Sequence, residues 1–209
     1  MPPTRAEPDL AAAPALTAAF AGCLPGGRLA GPLSAHAVVD STQTVCRALA
    51  ADGAPEGTVV VADYQTAGRG QRGRSWTAPP GTSLLVSCLL RPPLPAARWP
   101  ELTLLAASAV VDTVAAVAPV RPSLRRPNDV YVSDRKLAGV LAESVIGPVP
   151  FVVLGLGINV GQEPADWPPE LAARAVSLAE LGHPVARPRL LAELLRRLAA
   201  RYDAFLATK

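Results

Sequence analysis

Residues 58–76 constrain the fold most. Thr58-Val59-Val60-Val61-Ala62-Asp63 is β-branched and apolar, which reads as a buried strand. It runs directly into Tyr64-Gln65-Thr66-Ala67-Gly68-Arg69-Gly70-Gln71-Arg72-Gly73-Arg74-Ser75-Trp76. Three glycines and three arginines alternate over seven positions, and a tryptophan closes the run. The prolines and glycine of Thr77-Ala78-Pro79-Pro80-Gly81 exclude a helix after it. A strand therefore feeds a long, mobile, cationic loop. Its glycines let backbone N–H groups approach an anion, and its arginines offer forked donors for phosphate or carboxylate. Gly68-x-Gly70-x-x-Gly73 also fits a dinucleotide fingerprint. That reading needs a helix at the loop and an acidic residue roughly 20 positions on. Pro79-Pro80 blocks the helix and the region near Arg91 is basic, so the fingerprint is set aside. Taken alone, the loop also reads as a solvated basic hairpin without a ligand.

The rest of the composition narrows the class. At 209 residues, half of them apolar and 18% charged, the chain is long enough for one domain with a full core. The net charge of +3 is too mild for a nucleic-acid-binding protein, and no basic helix is evident. Positive charge gathers at 69–74 and 121–126, which suits a small anionic ligand. Cys23, Cys46 and Cys88 form no metal or redox motif, and two histidines make a structural zinc site a poor reading. Reduced, buried cysteines in a cytoplasmic protein are the expectation. The N-terminus lacks the pattern of a signal peptide, and no stretch approaches a membrane span.

In chain order, residues 1–34 read as an Ala/Pro-rich extension, with a weak helix from Leu10 to Leu24. Ala35 to Asp40 reads as a strand, followed by a helix to about Ala51 capped by Asp40 or Ser41. Strands are expected at Ser83 to Leu90, Val130 to Val132, from Lys136 onward, and Val149 to Ile158. Pro100 to Val117 and Pro188 to Leu206 read as helices, with a short one near Pro169 to Arg174. Arg121 to Arg126 is extended. In the hairpin Pro127 to Glu143, Asn128 and Asp129 stand at the mouth of one strand and Lys136 at the start of its partner. An acid, an amide and a lysine can then meet on one side; an exposed hairpin salt bridge is the plainer alternative. Gly155 and Gly157 leave room for a ligand against their strand, and Asn159 follows as a polar end group. Hairpins outnumber βαβ crossovers. The expected class is α+β, a mixed sheet with helices on one face.

Together these stretches resemble the catalytic domain of biotin protein ligase. The resemblance runs from about His36 to Leu206. It rests on Asp40-Ser41-Thr42, Tyr64 to Trp76, Pro127-Asn128-Asp129, Lys136-Leu137-Ala138-Gly139-Val140-Leu141, Gly155-Leu156-Gly157-Ile158-Asn159-Val160 and Ser177-Leu178, in the family's order. It implies a fold like class II aminoacyl-tRNA synthetases, with a catalytic domain over 35–209. It also implies a two-step reaction: biotin and ATP give biotinyl-5′-adenylate, which a lysine of a biotin carboxyl carrier protein then attacks. Two anions must be brought together, so cationic donors and Mg²⁺ are implied.

Carried over by position, Ser41, Thr42 and Gln43 meet the ureido ring of biotin. Gln65, Arg69, Gly70 and Gln71 border its carboxylate and the phosphate. Gly139, Gly155 and Gly157 belong to the biotin side. Lys136 stabilises charge at the carboxylate and α-phosphate, with Arg69 and Asp129 as its catalytic companions. Arg72, Arg74, Trp76, Asn128 and Asn159 line the ATP side, Trp76 by stacking, and Asp129 positions Mg²⁺ or the incoming lysine. The resemblance implies a monofunctional, cytoplasmic ligase without DNA or membrane partners, and leaves a homodimer open. Three positions depart from the family. Gln43 replaces its usual asparagine, Arg125-Arg126 replaces Lys-Trp and removes an aromatic wall, and Gln71 stands where many members have arginine. The SH3-like barrel that usually follows is expected to be absent. A lipoate-type ligase, or a non-catalytic binder of biotin or its adenylate, are the alternatives.

Overall fold

The structure is a computed structural model, and it describes residues 13–208. Seven strands form one mixed sheet: β1 (Leu33–Val39), β2 (Val59–Gln65), β3 (Ser83–Leu90), β4 (Pro122–Arg125), β5 (Asp129–Val132), β6 (Arg135–Val145) and β7 (Phe151–Asn159). Their order is β1-β2-β3-β7-β6-β5-β4. β1 and β2 are parallel and every other neighbouring pair is antiparallel. The parallel pair needs a crossover, and α2 (Thr42–Ala51) supplies it. The other helices are α1 (Ala13–Ala21), α3 (Glu101–Val117), α4 (Pro169–Ala172) and α5 (Arg187–Ala207).

The alternation of side chains along the strands sorts the two faces. Val59 and Val61 of β2, Leu84, Val86 and Cys88 of β3, and Leu154, Leu156 and Ile158 of β7 form the main core with α3 and α5. Their neighbours Val60, Leu89 and Val153 pack instead with Cys46 and Ala50 of α2. The expectation of helices on one face is therefore corrected. α1, α3 and α5 cover one face, and α2 lies on the other. A helix's apolar stripe says that it packs on a sheet, not which side its crossover takes.

Residues expected as an N-terminal extension are also integrated, since Phe20, Cys23 and Leu29 are buried in the main core. The first residues of the expected Leu10 to Leu24 helix lie outside the described residues. The short helix near 169 ends at Ala172, two residues early.

The consequence for the site is geometric. Register pairs Gly157 with Leu85 and Gly139, and Gly155 with Ser87 and Leu141. Paired residues share a face, so Gly139, Gly155 and Gly157 lie on the side that carries α2. Among the described residues α2 is the helix that packs on this face, and the glycines leave a strip without side chains beyond it.

Candidate functional site

The α2 end of that face is built by a helix cap. Ser41 is the N-cap, and its Oγ accepts a hydrogen bond from the Gln43 amide at 3.2 Å. Gln65, the last residue of β2, orients the same turn. Its Oε1 accepts from Thr42 N at 2.8 Å and from Thr42 Oγ1 at 3.0 Å. Ser87 Oγ lies 2.8 Å from Thr42 Oγ1 and 3.1 Å from Gln43 Oε1. Ser41, Thr42 and Gln43 are all buried. Polar side chains at this depth persist because each has partners.

The glycine–arginine loop folds back over the strip as a small hairpin. Gly70 N donates to Arg74 O at 2.7 Å, and Trp76 N to Gly68 O at 2.9 Å. The reversal at its tip uses two successive left-handed residues, Arg72 (φ 58°) and Gly73 (φ 72°). Trp76 is then laid on the sheet. A Cβ at Gly157 would stand 2.7 Å from Trp76 Cε2, and one at Gly139 would stand 3.3 Å from Cζ3. These glycines are what admit the indole. Trp76 Nε1 is buried with no hydrogen-bond partner among the described residues, a donor free for a ligand's acceptor.

The cations are held by neighbouring carboxylates. Lys136 Nζ lies 2.7 Å from Asp129 Oδ1 and 5.8 Å from the centre of the Trp76 ring. Arg69 Nη1 lies 3.5 Å from Glu143 Oε1, and Nη2 donates to Thr44 Oγ1 at 3.2 Å. A partly open cavity of about 260 Å³ results. Its lining includes Ser41, Thr42, Gln43, Gln65, Arg69, Gly70, Gln71, Arg74, Trp76, Asn128, Asp129, Lys136, Gly139, Gly155, Gly157 and Asn159. Every residue expected at the site is thus brought to one cavity except Arg72. That residue lines only an outer groove, between the loop and Leu141 to Glu143 of β6.

The amide nitrogens of Asn128 and Asn159 are committed to backbone. Asn128 Nδ2 donates to Val140 O at 2.9 Å and Asn159 Nδ2 to Val176 O at 3.1 Å. Their contribution is to shape the wall. The aromatic wall expected to be missing at Arg125-Arg126 is not part of the cavity, since neither arginine lines it. Tyr131 and Trp167 do, with Leu171, Arg174 and Ala175. Arg125 instead lies 4.0 Å over the Tyr131 ring, fixing it.

The sequence reading missed this second wall, all of which but Tyr131 comes from residues 160–178. Lys136 N donates to Arg174 O at 2.7 Å and Val176 N to Lys136 O at 2.9 Å, so the segment docks beside β6. Behind it, the fully buried Gln162 accepts from Val160 N at 2.9 Å. Its Nε2 donates to Ser83 Oγ at 2.7 Å and Asn159 Oδ1 at 3.1 Å. A lone polar residue in a loop carries no periodic signal. Only its total burial marks it.

A face of small residues, a capped helix end, two carboxylate-held cations and a stacking indole together make a pocket for an elongated anionic ligand. Comparison with known proteins supplies the family. The chain belongs to the biotin/lipoate A/B protein ligase family, whose model matches residues 35–159. It is 43% identical over 177 residues to the biotin–[acetyl-CoA-carboxylase] ligase of Mycobacterium tuberculosis, covering 81% of this chain and 63% of that protein. It is 40% identical over 174 residues to the bifunctional ligase/repressor BirA of Bacillus subtilis, covering 82% of this chain and 54% of that protein. The chain thus spans between about half and two thirds of these relatives. Among solved structures, the biotin protein ligase from Aquifex aeolicus in complex with biotin and ATP superposes with a TM-score of 0.74 at 33% identity. That match covers 85% of this chain and 73% of the other.

Proposed function

We infer that this protein is an ATP-dependent ligase acting in the cytoplasm. It activates biotin as biotinyl-5′-adenylate and passes the biotinyl group to a lysine of a biotin carboxyl carrier protein. The observation that carries the reading is the placement of Lys136 and Arg69 on the same cavity as the buried Ser41-Thr42-Gln43 turn. One end offers neutral hydrogen-bonding groups, which suit a ureido ring. The other offers cations, which suit a carboxylate and phosphate.

In this reading a biotin carboxylate oxygen attacks the α-phosphorus of ATP, and the bond to pyrophosphate breaks. Ser41, Thr42 and Gln43 bind the ring, oriented by Gln65 and Ser87. Arg69, with Gly70 and Gln71, borders the carboxylate. Lys136 leaves Asp129 to meet the charge developing between carboxylate and α-phosphate, where a fixed cation acts mostly on the transition state. Trp76 offers its ring to the adenine and its free N–H to an acceptor, and Arg74 faces the same side. The loop hairpin, closed over the strip, shields the mixed anhydride from water. The carrier lysine's amine then attacks the carbonyl carbon, AMP leaves with the anhydride oxygen, and the amine loses a proton.

Mg²⁺ fits this site in one way. Asp129 is the one carboxylate on the cavity lining, and no group of three or more metal-ligating side chains exists among the described residues. A single carboxylate with substrate phosphates is an ordinary Mg²⁺ set, so Asp129 would hold it as Lys136 moves away. When bound, the ion neutralises phosphate charge.

The test is ATP–pyrophosphate exchange with biotin, with lipoate and with neither. Exchange that depends on biotin is the expected result. Exchange with lipoate alone would make the chain a lipoate-type ligase, and binding of biotin without exchange would make it a binding protein.

A further inference from the structure

We propose that Glu143 is a positioning residue of the biotin site, through which ring recognition and loop position share one carboxylate. The inference rests on the functional reading above and deepens it. Glu143 sits on β6 opposite Val153, on the same sheet face as the glycine strip. Its two oxygens serve two different parts of the pocket. Oε2 accepts from Gln43 Nε2 at 3.1 Å, and Oε1 lies 3.5 Å from Arg69 Nη1.

The first contact, the shortest of three that Gln43 Nε2 donates (the others go to Leu141 O and Val153 O, each at 3.4 Å), helps fix what Gln43 presents. A carboxylate only accepts, so the amide's nitrogen must face Glu143 and its oxygen must face the hydroxyl of Ser87, 3.1 Å away. Turning the amide over would set its oxygen against an anion. Gly155 removes the other freedom. A Cβ there would stand 2.9 Å from Gln43 Cδ, so the carboxamide lies flat against β7. Glutamine is long enough to cross that glycine and reach β6, which a side chain shorter by one methylene is not.

The second contact places the loop. Arg69 is tied to Glu143 on β6 and to Thr44 on the first turn of α2, and it lines both the cavity and the outer groove. Glu143 lines the groove alone. A ligand carboxylate in the cavity competes with Glu143 for Arg69. Filling the ring end, which holds Gln43 on Glu143, and filling the carboxylate end, which draws Arg69 from it, are thereby coupled through one side chain. Arg69 and Glu143 are both partly exposed, so solvent screens the ion pair and its share is modest.

The test compares wild type, Glu143→Gln and Glu143→Ala by biotin affinity without ATP and by the release rate of preformed biotinyl-adenylate. Glu143→Gln keeps an acceptor for the Gln43 amide but lacks the charge. Biotin affinity is expected to stay within about twofold while adenylate release slows by about threefold, because Arg69 is no longer shared with Glu143. Glu143→Ala loses both contacts, so the biotin Kd also rises by about tenfold. In a Gln43→Asn background, Glu143→Ala adds nothing to the biotin Kd, because the shorter amide no longer reaches it. Equal effects of the two Glu143 substitutions, or no effect of either, overturn the proposal. Glu143→Gln is nearly isosteric and keeps the test decisive if Glu143→Ala does not fold. Wild type that binds no biotin defeats the functional reading and this one together. Wild type that binds biotin, with silent variants, defeats this one alone.

Discussion

Lys136 reaches Asp129 across a bulge. Its Nζ lies 2.7 Å from Asp129 Oδ1, yet its partner in the β5–β6 ladder is Tyr131. Register shifts between Val130 and Tyr131, which sets Asp129 opposite Gly139. That glycine is the space the lysine uses, since a Cβ there would stand 3.2 Å from Nζ. The bulge turns a hairpin ion pair toward the cavity, where the lysine can change partner.

Lys136→Ala should therefore slow pyrophosphate exchange far more than it weakens biotin binding. Loss of one preorganised contact to developing charge is worth on the order of 3 kcal/mol, about a hundredfold in rate. Biotin Kd should move by about threefold or less. Exchange assays and calorimetry on one preparation separate the two. An unchanged exchange rate would make the pair purely structural.

Gly157→Ala should dislodge the Trp76 indole. The new methyl would fall 2.7 Å from Cε2 and 2.9 Å from Cζ2 of a rigid ring. Overpacking of this kind costs about 1–3 kcal/mol, so the ring leaves the strand rather than the strand bending. Tryptophan emission should shift to the red, and the melting temperature should fall. A Trp76→Ala background should remove both effects. If the effects persist there, the glycine answers to some other contact.

Gln71→Arg should slow the escape of the adenylate. Gln71 lines the cavity and brings a neutral amide to a place where an anion is expected. A charge-assisted bond is roughly twice as strong as a neutral one, and loop exposure discounts the gain to about 1 kcal/mol. That is about fivefold in the off-rate of preformed biotinyl-adenylate. An unchanged off-rate would mean that Arg74 already fills the role.

The cysteines should be inert in the native protein. Burial pushes the Cys46 thiol up to about 12 from an ordinary 9.0, and burial also raises Cys23 and Cys88. Below about pH 8 the thiols are protonated in folded and unfolded chains alike and leave stability untouched. Above it the unfolded chain releases protons that the folded chain keeps, so stability falls as pH rises toward 12. A thiol reagent at pH 8 should label the native protein negligibly and all three cysteines after unfolding.

Much of this was legible in the sequence because it is local. The apolar β-branched run 58–63 and the Ser41 cap announce themselves within a few residues. The glycines of β7 and the hairpin lysine marked the cavity for the same reason. What was not legible depends on pairing between distant residues. Nothing in residues 42–51 says that α2 crosses to the site face. Glu143 lay in plain view but drew no role, because its partners Gln43 and Arg69 are brought by other elements. Tyr131 and Trp167 stood unnoticed while an aromatic wall was sought at Arg126. That position is exposed and outside the cavity.

The fully buried amide of Gln162 gives the second wall an unusual status. Residues 160–178 hold only two short helical turns, at Pro164–Asp166 and Pro169–Ala172, yet one side chain knots them to Ser83 at the start of β3 and to Asn159 at the end of β7. Ser177 Oγ returns the tie by donating to Gln162 O at 2.6 Å. Such a stretch does not behave as a hinged flap with a melting point of its own. At Gln162 and Ser177 it is tied to the sheet centre, and those ties open only at the cost of burying unpaired polar groups. Of the two covers on this pocket, the arginine hairpin is therefore free to work as a door, while the Trp167 side is masonry.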